Sequence, residues 1–293
     1  MPHSRIPAAI VRASSPPQGE HSVLVPWWSI TKSVLAVAIL RLVDRGVLTL
    51  DARFDDWPFT IRQLLQHTSG LTDYGGPAYQ KAVTNGDPVW PIDELLERQD
   101  ARRLLFSPGM GWAYSNIGYL FIRQLIERTM DSDLNQVLQE LIFSPMQITG
   151  TRIAQTRDDM AQTLWGNPAN YDPRWVYHGL LIGPSTDAVN FLNQLLTHEF
   201  LPKSLLTAMQ DRRALGGELP NRPWEDGGYG LGLMIGNMKG VGRAVGHSGV
   251  GNASVSALYA FLDLPGMPIV SAFAEGRDEG VAEHEALRLA RME

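Results

Sequence analysis

The sequence predicts an α+β fold in which one antiparallel sheet is built from both ends of the chain and flanked by helices. Short β-like segments occur near the amino terminus and again from Tyr229 onward, while the middle of the chain has helical periodicity. The economical arrangement of these segments is an all-α region inserted into the sheet. We therefore predict an α/β domain over 1–50 and 225–293, and a mainly α-helical domain over 51–224.

At the amino end, residues 8–11 and 23–25 are predicted strands around a Pro- and Gly-containing turn at 14–19. Residues 34–43 are apolar nearly all round, with Arg41 as the exception, which is typical of a buried helix. This helix is expected to begin at Ser29 and to end at Gly46, a residue suited to a left-handed stop.

The middle of the chain is predicted to be helical. Thr60 and Gln63 have the spacing of a capping box, which predicts a helix over 60–66. Apolar residues at i, i+3 and i+4 predict further helices over 91–98, 117–128, 133–142, 187–197 and 204–215. Toward the carboxyl end, β-like segments and a last helix are expected at 229–235, 244–247, 254–262, 268–274 and 281–291.

Composition excludes several classes of function. The net charge is −6 and no run of Lys or Arg is present, which argues against a nucleic-acid partner. The chain has no Cys, no P-loop, no G-x-G-x-x-G and no H-E-x-x-H, so neither a cofactor nor a metal is expected. Residues 33–43 are too few to span a bilayer, and residues 1–7 lack the apolar core of a secretory signal. We expect a cytoplasmic protein without membrane contacts.

Ser29 and Lys32 are the first candidates for chemistry. They lie three residues apart, so both side chains share one face of the predicted helix. The lysine amine can accept the serine proton if the amine is neutral. Neutrality at pH 7 requires the lysine pKa to fall by roughly 3 units, which full burial can supply. Because S-x-x-K is a short pattern, the decision depends on the rest of the chain.

Two further motifs complete an ordered set. Tyr114-Ser115-Asn116 lies in a Pro- and Gly-rich loop, and His247-Ser248-Gly249 lies on a predicted strand near the carboxyl end. With Ser29-Ile30-Thr31-Lys32, this set resembles the serine penicillin-recognising enzymes of the β-lactamase/transpeptidase-like superfamily. The Tyr-x-Asn form is similar to class C β-lactamases, D,D-carboxypeptidases and family VIII esterases. Supporting stretches at 64–71, 107–109 and 228–232 extend the resemblance over roughly residues 20 to 275.

The resemblance implies an active site at the interface of the two predicted domains. Ser29 would be the acylated nucleophile, Lys32 its proton acceptor, and Tyr114 a general base and acid if Lys32 lowers its pKa. The backbone N–H groups of Ser29 and Val250 would form the oxyanion hole. The substrate-binding residues implied are Asn116, His247, Ser248 and Gly249. His67, by contrast, ends a predicted helix and is expected to be structural, serving the last carbonyls.

The strand motif departs from the family pattern because it begins with His247 instead of lysine. An imidazole is mostly neutral at pH 7. Losing a charge-assisted hydrogen bond worth about 1.5–3 kcal/mol weakens a carboxylate-bearing substrate roughly 10- to 150-fold. Histidine here also resembles the esterases and D-aminopeptidases of the superfamily. We therefore expect a serine hydrolase acting on small esters or amides, with weak β-lactam turnover at most.

Two alternatives stay open from the sequence. The first is a β-lactamase, D,D-carboxypeptidase or D-aminopeptidase. The second is a non-catalytic ligand-binding protein that keeps the penicillin-binding fold. The expected partner is a small ester, amide or β-lactam-like molecule in each enzymatic case. A dimer is also compatible with the sequence. We expect no counterpart of the family's usual amino-terminal helix among the 28 residues that precede Ser29, which would leave part of one sheet face for a partner to cover.

Overall fold

The computed structural model describes residues 6–12, 15–165 and 170–292. In chain order its strands are β1 (Ala8–Val11), β2 (Gln18–Gly19), β3 (Val25–Pro26), β4 (Arg152–Ile153), β5 (Leu181–Gly183), β6 (Arg213–Gly216), β7 (Trp224–Tyr229), β8 (Met234–Met238), β9 (Gly242–Val250), β10 (Ser254–Phe261) and β11 (Ile269–Glu275). The helices are α1 (Thr31–Asp44), α2 (Ile61–Leu65), α3 (Pro77–Asn85), α4 (Ile92–Arg98), α5 (Asn116–Met130), α6 (Leu134–Leu138), α7 (Arg157–Ala161), α8 (Ser185–Thr197), α9 (Lys203–Gln210) and α10 (Glu279–Ala290). A 3₁₀ turn, Trp28–Ile30, leads into α1, and α6 continues as a π-helical turn, Gln139–Phe143.

Both ends of the chain contribute to one antiparallel sheet, as the sequence predicted. The eight strands are ordered β2-β1-β11-β10-β9-β8-β7-β6, with Ala8 of the first strand opposite Ala272 of the last. Successive strand residues point to opposite faces of the sheet, and every residue of β10 is buried. Both faces therefore need a cover, and helices α8 and α10 provide it. On one face, Tyr259 of β10 donates to Glu283 of α10. On the other face, Ser271 of β11, which pairs with Leu258 of β10, donates to the Ser185 carbonyl of α8.

The buried helix is confirmed. In α1, residues from Thr31 to Leu42 are buried apart from Arg41, and the helix packs against α5 and α6. Gly46 has the left-handed φ of +71° that was expected of it. The helix proper begins at Thr31, however, so Ser29 lies in the preceding 3₁₀ turn. The capping box between Thr60 and Gln63 is also present at the start of α2.

Several boundaries differ from the prediction. The helix expected over 204–215 ends at Gln210, and the following residues form β6 because their backbone pairs with β7 at the sheet edge. The strand expected over 229–235 is divided into β7 and β8. Gly232, with φ +74°, turns the chain there and lies so close to α1 that a Cβ would approach Ala36 to 2.5 Å.

The amino-terminal segments pair differently from a simple hairpin. Gln18 and Gly19 of the expected turn form β2 beside β1, and Val25 pairs with Gly183 of β5 in a second, three-stranded sheet, β3-β5-β4. Ser14 of that turn lies outside the described residues. The second sheet holds the chain just before Ser29.

The predicted domain boundary at residue 224 does not coincide with the edge of the large sheet. Helix α8 packs on β1 and β11, and β6 pairs with β7, although both elements lie within the range 51–224. As a division into folding units, the two-domain organisation stays a prediction. Among the described residues, the helices are all too short or too polar to cross a membrane.

Candidate active site

A cleft of about 1060 Å³ opens between the start of α1, strand β9 and the loops of the helical region. It is of the size that ligand sites usually have. Most of the site residues expected from the sequence line it: Ser29, Tyr114, Asn116, His247, Ser248 and Val250. Lys32 and Gly249 lie directly behind this wall, as their contacts below show.

The turn that presents Ser29 is strained. Trp28, the preceding residue, has a left-handed φ of +47°, a conformation that costs a bulky residue about 1–3 kcal/mol. Its indole is fixed by a 2.9 Å hydrogen bond from Nε1 to Ser254 Oγ and packs directly on Gly251, where a Cβ would overlap the ring. With this backbone conformation at Trp28, Ser29 lies in the wall of the cleft, while helix α1 behind it is buried.

Ser29 Oγ lies within hydrogen-bond distance of two side chains. Lys32 Nζ is 3.0 Å away and the Tyr114 hydroxyl is 2.9 Å away. Burial lowers the pKa of Lys32 from its usual 10.5 to about 7, although the more distant carboxylates of Asp73 and Glu279 oppose this shift. A large fraction of Lys32 is therefore neutral at pH 7 and able to accept a proton.

The pKa of Tyr114 moves opposite to the direction expected from the sequence. Burial raises the pKa of this phenol well above 10, and its hydrogen bond to Ser29 only partly offsets the rise. The resemblance implied a general base at Tyr114 only if Lys32 lowers its pKa, and this condition is not met, because burial dominates and the carboxylates of Asp73 and Glu279 act in the same direction. Tyr114 thus keeps its proton at neutral pH and acts as a donor toward Ser29.

Asn116 is held by an aspartate that sequence reasoning missed. Its backbone N–H donates to Asp73 Oδ1 at 2.7 Å, and its Nδ2 donates to Asp73 Oδ2 at 3.2 Å. Asp73 also lines the cleft, and burial raises its pKa. The only sequence signal was its place two residues after the supporting stretch 64–71. The cap of α5 is Ser115, whose Oγ accepts from Gly118 at 3.1 Å, so Asn116 is free of that task.

His247 is a neutral imidazole. Its Nε2 lies 2.8 Å from the Tyr229 hydroxyl and its Nδ1 contacts the Ser248 carbonyl. Burial, with the nearby charge of Lys32, lowers the pKa of His247 to about 3. The sequence predicted an imidazole that is mostly neutral at pH 7 in the lysine position. With a pKa of about 3, His247 is neutral throughout the physiological pH range.

Ser248 and Gly249 play different structural parts. Ser248 Oγ accepts from Arg222 at 2.8 Å and donates to Glu279 at 3.0 Å. Gly249 lies against the 3₁₀ turn that carries Ser29, where a Cβ would approach the Ser29 backbone nitrogen to 2.6 Å. Strand β9 can pass this close to Ser29 only because residue 249 has no side chain.

His67 lies at the end of helix α2, as expected, and its imidazole supports the loop of Tyr114. Its backbone has a left-handed φ of +59°, and its N–H donates to the Leu64 carbonyl at 3.3 Å. Its Nδ1 accepts the Ser115 N–H at 3.1 Å, and its ring lies 4.3 Å from the Tyr114 ring, centroid to centroid. Burial lowers the pKa of His67 well below 6.5. The expected structural role is kept, but the partner of the imidazole is the backbone N–H of Ser115, and only the backbone N–H of His67 serves a helix carbonyl.

His178 is the second residue that sequence reasoning missed. It is 2% exposed, lines the cleft, and places Nε2 3.1 Å from Lys32 Nζ. Burial lowers the pKa of His178 well below 6.5, and the charge of Lys32 acts in the same direction. A single histidine before a glycine carries no motif, so only the tertiary structure reveals this contact.

One wall of the cleft is aromatic. Trp28 and Trp112 line it, whereas Trp27, Trp175 and Trp224 are fully buried. The remaining aromatic and aliphatic side chains on this wall are Tyr74, Tyr79, Val83, Tyr171 and Val176. The helical side of the cleft is therefore suited to an apolar group.

Comparisons with known proteins agree with the geometry. The family model described as Beta-lactamase matches residues 20–273. Penicillin-binding protein 4* of Bacillus subtilis (strain 168) is 26% identical, over 75% of this chain and 54% of that protein. Esterase EstB of Burkholderia gladioli is 33% identical, over 40% of this chain and 35% of that protein. The chain thus spans about half or less of the length of these relatives.

Solved structures share the fold at low sequence identity. The D-amino acid amidase from Ochrobactrum anthropi SV3 complexed with D-phenylalanine has a TM-score of 0.78 at 20% identity, covering 97% of this chain and 90% of that chain. A D-stereospecific amidohydrolase from Streptomyces sp. has a TM-score of 0.76 at 23% identity, covering 98% and 94%. The fold is therefore β-lactamase/transpeptidase-like. Because the family match extends over most of its length, the chain belongs to the Beta-lactamase family, within the superfamily of serine hydrolases related to penicillin-binding proteins.

Proposed function

We propose that this protein hydrolyses small neutral esters or amides through an acyl-enzyme on Ser29. The observation that carries the proposal is the convergence of Lys32 Nζ and the Tyr114 hydroxyl on Ser29 Oγ, at 3.0 and 2.9 Å, in the wall of the cleft. A base and a proton donor that each lie this close to the nucleophile form the arrangement that covalent catalysis needs.

In the proposed acylation, Ser29 Oγ attacks the substrate carbonyl carbon and its proton passes to neutral Lys32. In this proposal the negative charge on the carbonyl oxygen is held by the backbone N–H groups of Ser29 and Val250, two residues that line the cleft. When the ester or amide bond breaks, Tyr114 gives its proton to the leaving group and recovers one from the Lys32 ammonium.

Deacylation reverses the roles. Water attacks the acyl carbon, Lys32 takes a proton from this water, and the Ser29 oxygen leaves and is reprotonated. Asn116, His247, Ser248 and Gly249 are proposed to hold the substrate along β9 and the start of α5. The aromatic wall that includes Trp28 and Tyr171 would take an apolar acyl group.

The lack of charge at the first residue of the strand motif favours neutral substrates over a β-lactamase or D,D-carboxypeptidase activity. His247 brings no positive charge, because its pKa is about 3. Arg222 lines the same side of the cleft, but its guanidinium already binds Glu283 at 2.6 Å and Glu279 at 3.1 Å. A substrate carboxylate would have to compete with two protein carboxylates for this cation. The cleft also contains two further cations, Arg213, which donates to the Gly109 carbonyl, and Arg277, which donates to Asn252.

The test is turnover of p-nitrophenyl butyrate beside a chromogenic cephalosporin, with Ser29→Ala as the background control. We expect ester turnover that the Ser29→Ala variant lacks, and cephalosporin turnover at least 10-fold weaker in kcat/KM, as the missing charge-assisted hydrogen bond requires. Cephalosporin hydrolysis as fast as ester hydrolysis would favour the β-lactamase alternative. A stable Ser29 adduct without turnover, seen by mass spectrometry, would favour the ligand-binding alternative.

The pH dependence of substrate choice tests the charge argument separately. The ratio of kcat/KM for a neutral ester over its carboxylated analogue is expected to be the same at pH 6 and pH 8, because His247 is neutral at both values. An imidazole with an ordinary pKa near 6.5 would instead become charged at pH 6 and favour the carboxylated analogue there. A ratio that rises several-fold from pH 6 to pH 8 would contradict the assignment of a neutral His247.

A further inference from the structure

The segment that carries His178 is attached directly to the 3₁₀ turn that carries Ser29. The Trp27 N–H donates to the Leu181 carbonyl at 2.9 Å, and the Leu181 N–H donates to Thr31 Oγ1 at 3.1 Å. On the other side, Arg123 of α5 donates to the Tyr177 carbonyl at 3.2 Å. His178 is thus held in a fixed position relative to Ser29 and Lys32.

The surroundings of Lys32 give this histidine a special place. Within the described ranges, the hydrogen-bond partners of Lys32 Nζ are Ser29 Oγ and His178 Nε2, at 3.0 and 3.1 Å. Asn116, which shares a motif with Tyr114, is turned toward Asp73 instead. His178 is therefore the protein group that can set the direction of the amine when Ser29 loses its proton.

The tautomer of His178 decides what the contact does. A proton on Nε2 would point at the amine lone pair, which would then be unable to accept the proton of Ser29. A proton on Nδ1 leaves Nε2 as an acceptor, so the amine donates one N–H to His178 and directs its lone pair to the serine. Nδ1 is buried and, in the part of the chain that the structure covers, has no hydrogen-bond partner. The proposed tautomer therefore buries one N–H without an acceptor, and the hydrogen bond that Nε2 accepts from Lys32 has to offset this cost.

We propose that His178 is a positioning residue for Lys32, whose Nε2 accepts an N–H of the lysine in both its amine and its ammonium form. The inference rests on the proposed function, in which Lys32 is the base. In the amine form the contact directs the lone pair at Ser29 Oγ. In the ammonium form it satisfies one donor that would otherwise be buried without an acceptor.

Other charged groups face the same site and are part of any pH dependence. Lys32 on α1 is joined by Arg123 on α5 and by two more buried histidines. The groups that act electrostatically on His178 are Lys32, Arg123, His247 and His67, and those that act on Lys32 are Asp73 and Glu279. Both variants below leave all of these groups in place.

The experiment compares His178→Gln, which keeps an acceptor oxygen near the position of Nε2, with His178→Leu, which fills the space without an acceptor. We expect His178→Leu to lower kcat for p-nitrophenyl butyrate by about 10- to 100-fold with KM nearly unchanged, and His178→Gln to stay within about 5-fold of the wild type. Equal losses in both variants, or no loss in either, would overturn the proposal.

A second measurement does not depend on turnover. The chain has four lysines, Lys32, Lys81, Lys203 and Lys239, so the pKa of Lys32 can be followed by NMR of ¹³C-labelled lysine. Removing an acceptor from the ammonium form is expected to lower the pKa of Lys32 by about one unit in His178→Leu and to leave it unchanged in His178→Gln. An unchanged pKa in both variants would overturn the proposal. If the wild type lacked Ser29-dependent turnover, the proposed function would fail, and this titration would still decide the hydrogen bond.

Discussion

Replacing Lys32 by methionine is expected to lower kcat/KM for p-nitrophenyl butyrate by about 10³-fold and, at the same time, to make the protein more stable. The loss of activity follows because methionine cannot accept the Ser29 proton. The gain in stability follows because the variant no longer has to bury a lysine. In the folded protein the pKa of Lys32 is about 7, against 10.5 in the unfolded chain, so burial of this side chain costs free energy. Active-site residues often cost stability in this way.

The lowered pKa of Lys32 makes the free energy of unfolding depend on pH. Below pH 7 both states hold the Lys32 proton, so the folded state carries the full cost of the buried ammonium. Between pH 7 and pH 10.5 the unfolded chain binds more protons than the folded protein, so the free energy of unfolding of the wild type rises with pH in this window. The Lys32→Met variant lacks this contribution, and its stability should change less between pH 7 and pH 10.

Chemical unfolding at pH 7 and pH 9.5 measures both effects. We expect Lys32→Met to raise the free energy of unfolding at pH 7 by about 1–3 kcal/mol, after the lost hydrogen bonds to Ser29 and His178 are subtracted. Lys81→Met is the matched control, because Lys81 is exposed on α3, and it should change neither activity nor the pH slope. Equal pH slopes in the wild type and Lys32→Met would show that Lys32 is not neutralised in the folded protein.

A methyl group at residue 249 is the second change with a large expected effect. In Gly249→Ala the new Cβ would lie 2.6 Å from the Ser29 backbone nitrogen, 2.8 Å from Trp28 Cβ and 2.9 Å from Ser256 Oγ. None of these is the flexible end of a long side chain, so β9 and the 3₁₀ turn that carries Ser29 must move apart. Because the Ser29 N–H is the proposed oxyanion donor, we expect kcat to fall about 10²- to 10³-fold.

The same displacement should cost about 1–3 kcal/mol of stability, as overpacking usually does. Gly76→Ala is the matched control, since Gly76 has an ordinary φ of −64° and open space around its Cβ position. Steady-state kinetics and thermal unfolding of both variants make the comparison. A Gly249→Ala variant that keeps wild-type kcat would contradict the proposed position of the oxyanion hole.

Local sequence patterns were sufficient for much of the fold. The apolar run 34–43 predicted the buried helix because a helix without a polar face has to be covered on all sides. Thr60 and Gln63 predicted the start of α2 because a capping box needs only residues three apart. The region around 204–215 was misassigned for the opposite reason. The helix ends at Gln210, and residues 213–216 pair with β7, the next strand along the chain, at the edge of the sheet. The helical periodicity of the segment gives no sign of this pairing.

The same division holds for the site. Ser29, Lys32 and Tyr114 were predicted as site residues from the sequence, the first two by helical spacing and the third by its motif, and the structure brings their side chains together. The sequence also determined that residue 247 is histidine and that the strand motif therefore lacks a fixed positive charge. These conclusions needed only residue identity and short spacing.

What only the tertiary structure decided is the protonation of these residues and the identity of their partners. Burial sets the pKa of Lys32 near 7, keeps the proton on Tyr114 and leaves His247 neutral, because desolvation depends on everything packed around a group. Asp73 and His178 reach Asn116 and Lys32 from positions 43 and 146 residues away in the chain. A hydrogen bond between residues so far apart is formed by the packing of whole elements, and for that reason it left no pattern in the sequence.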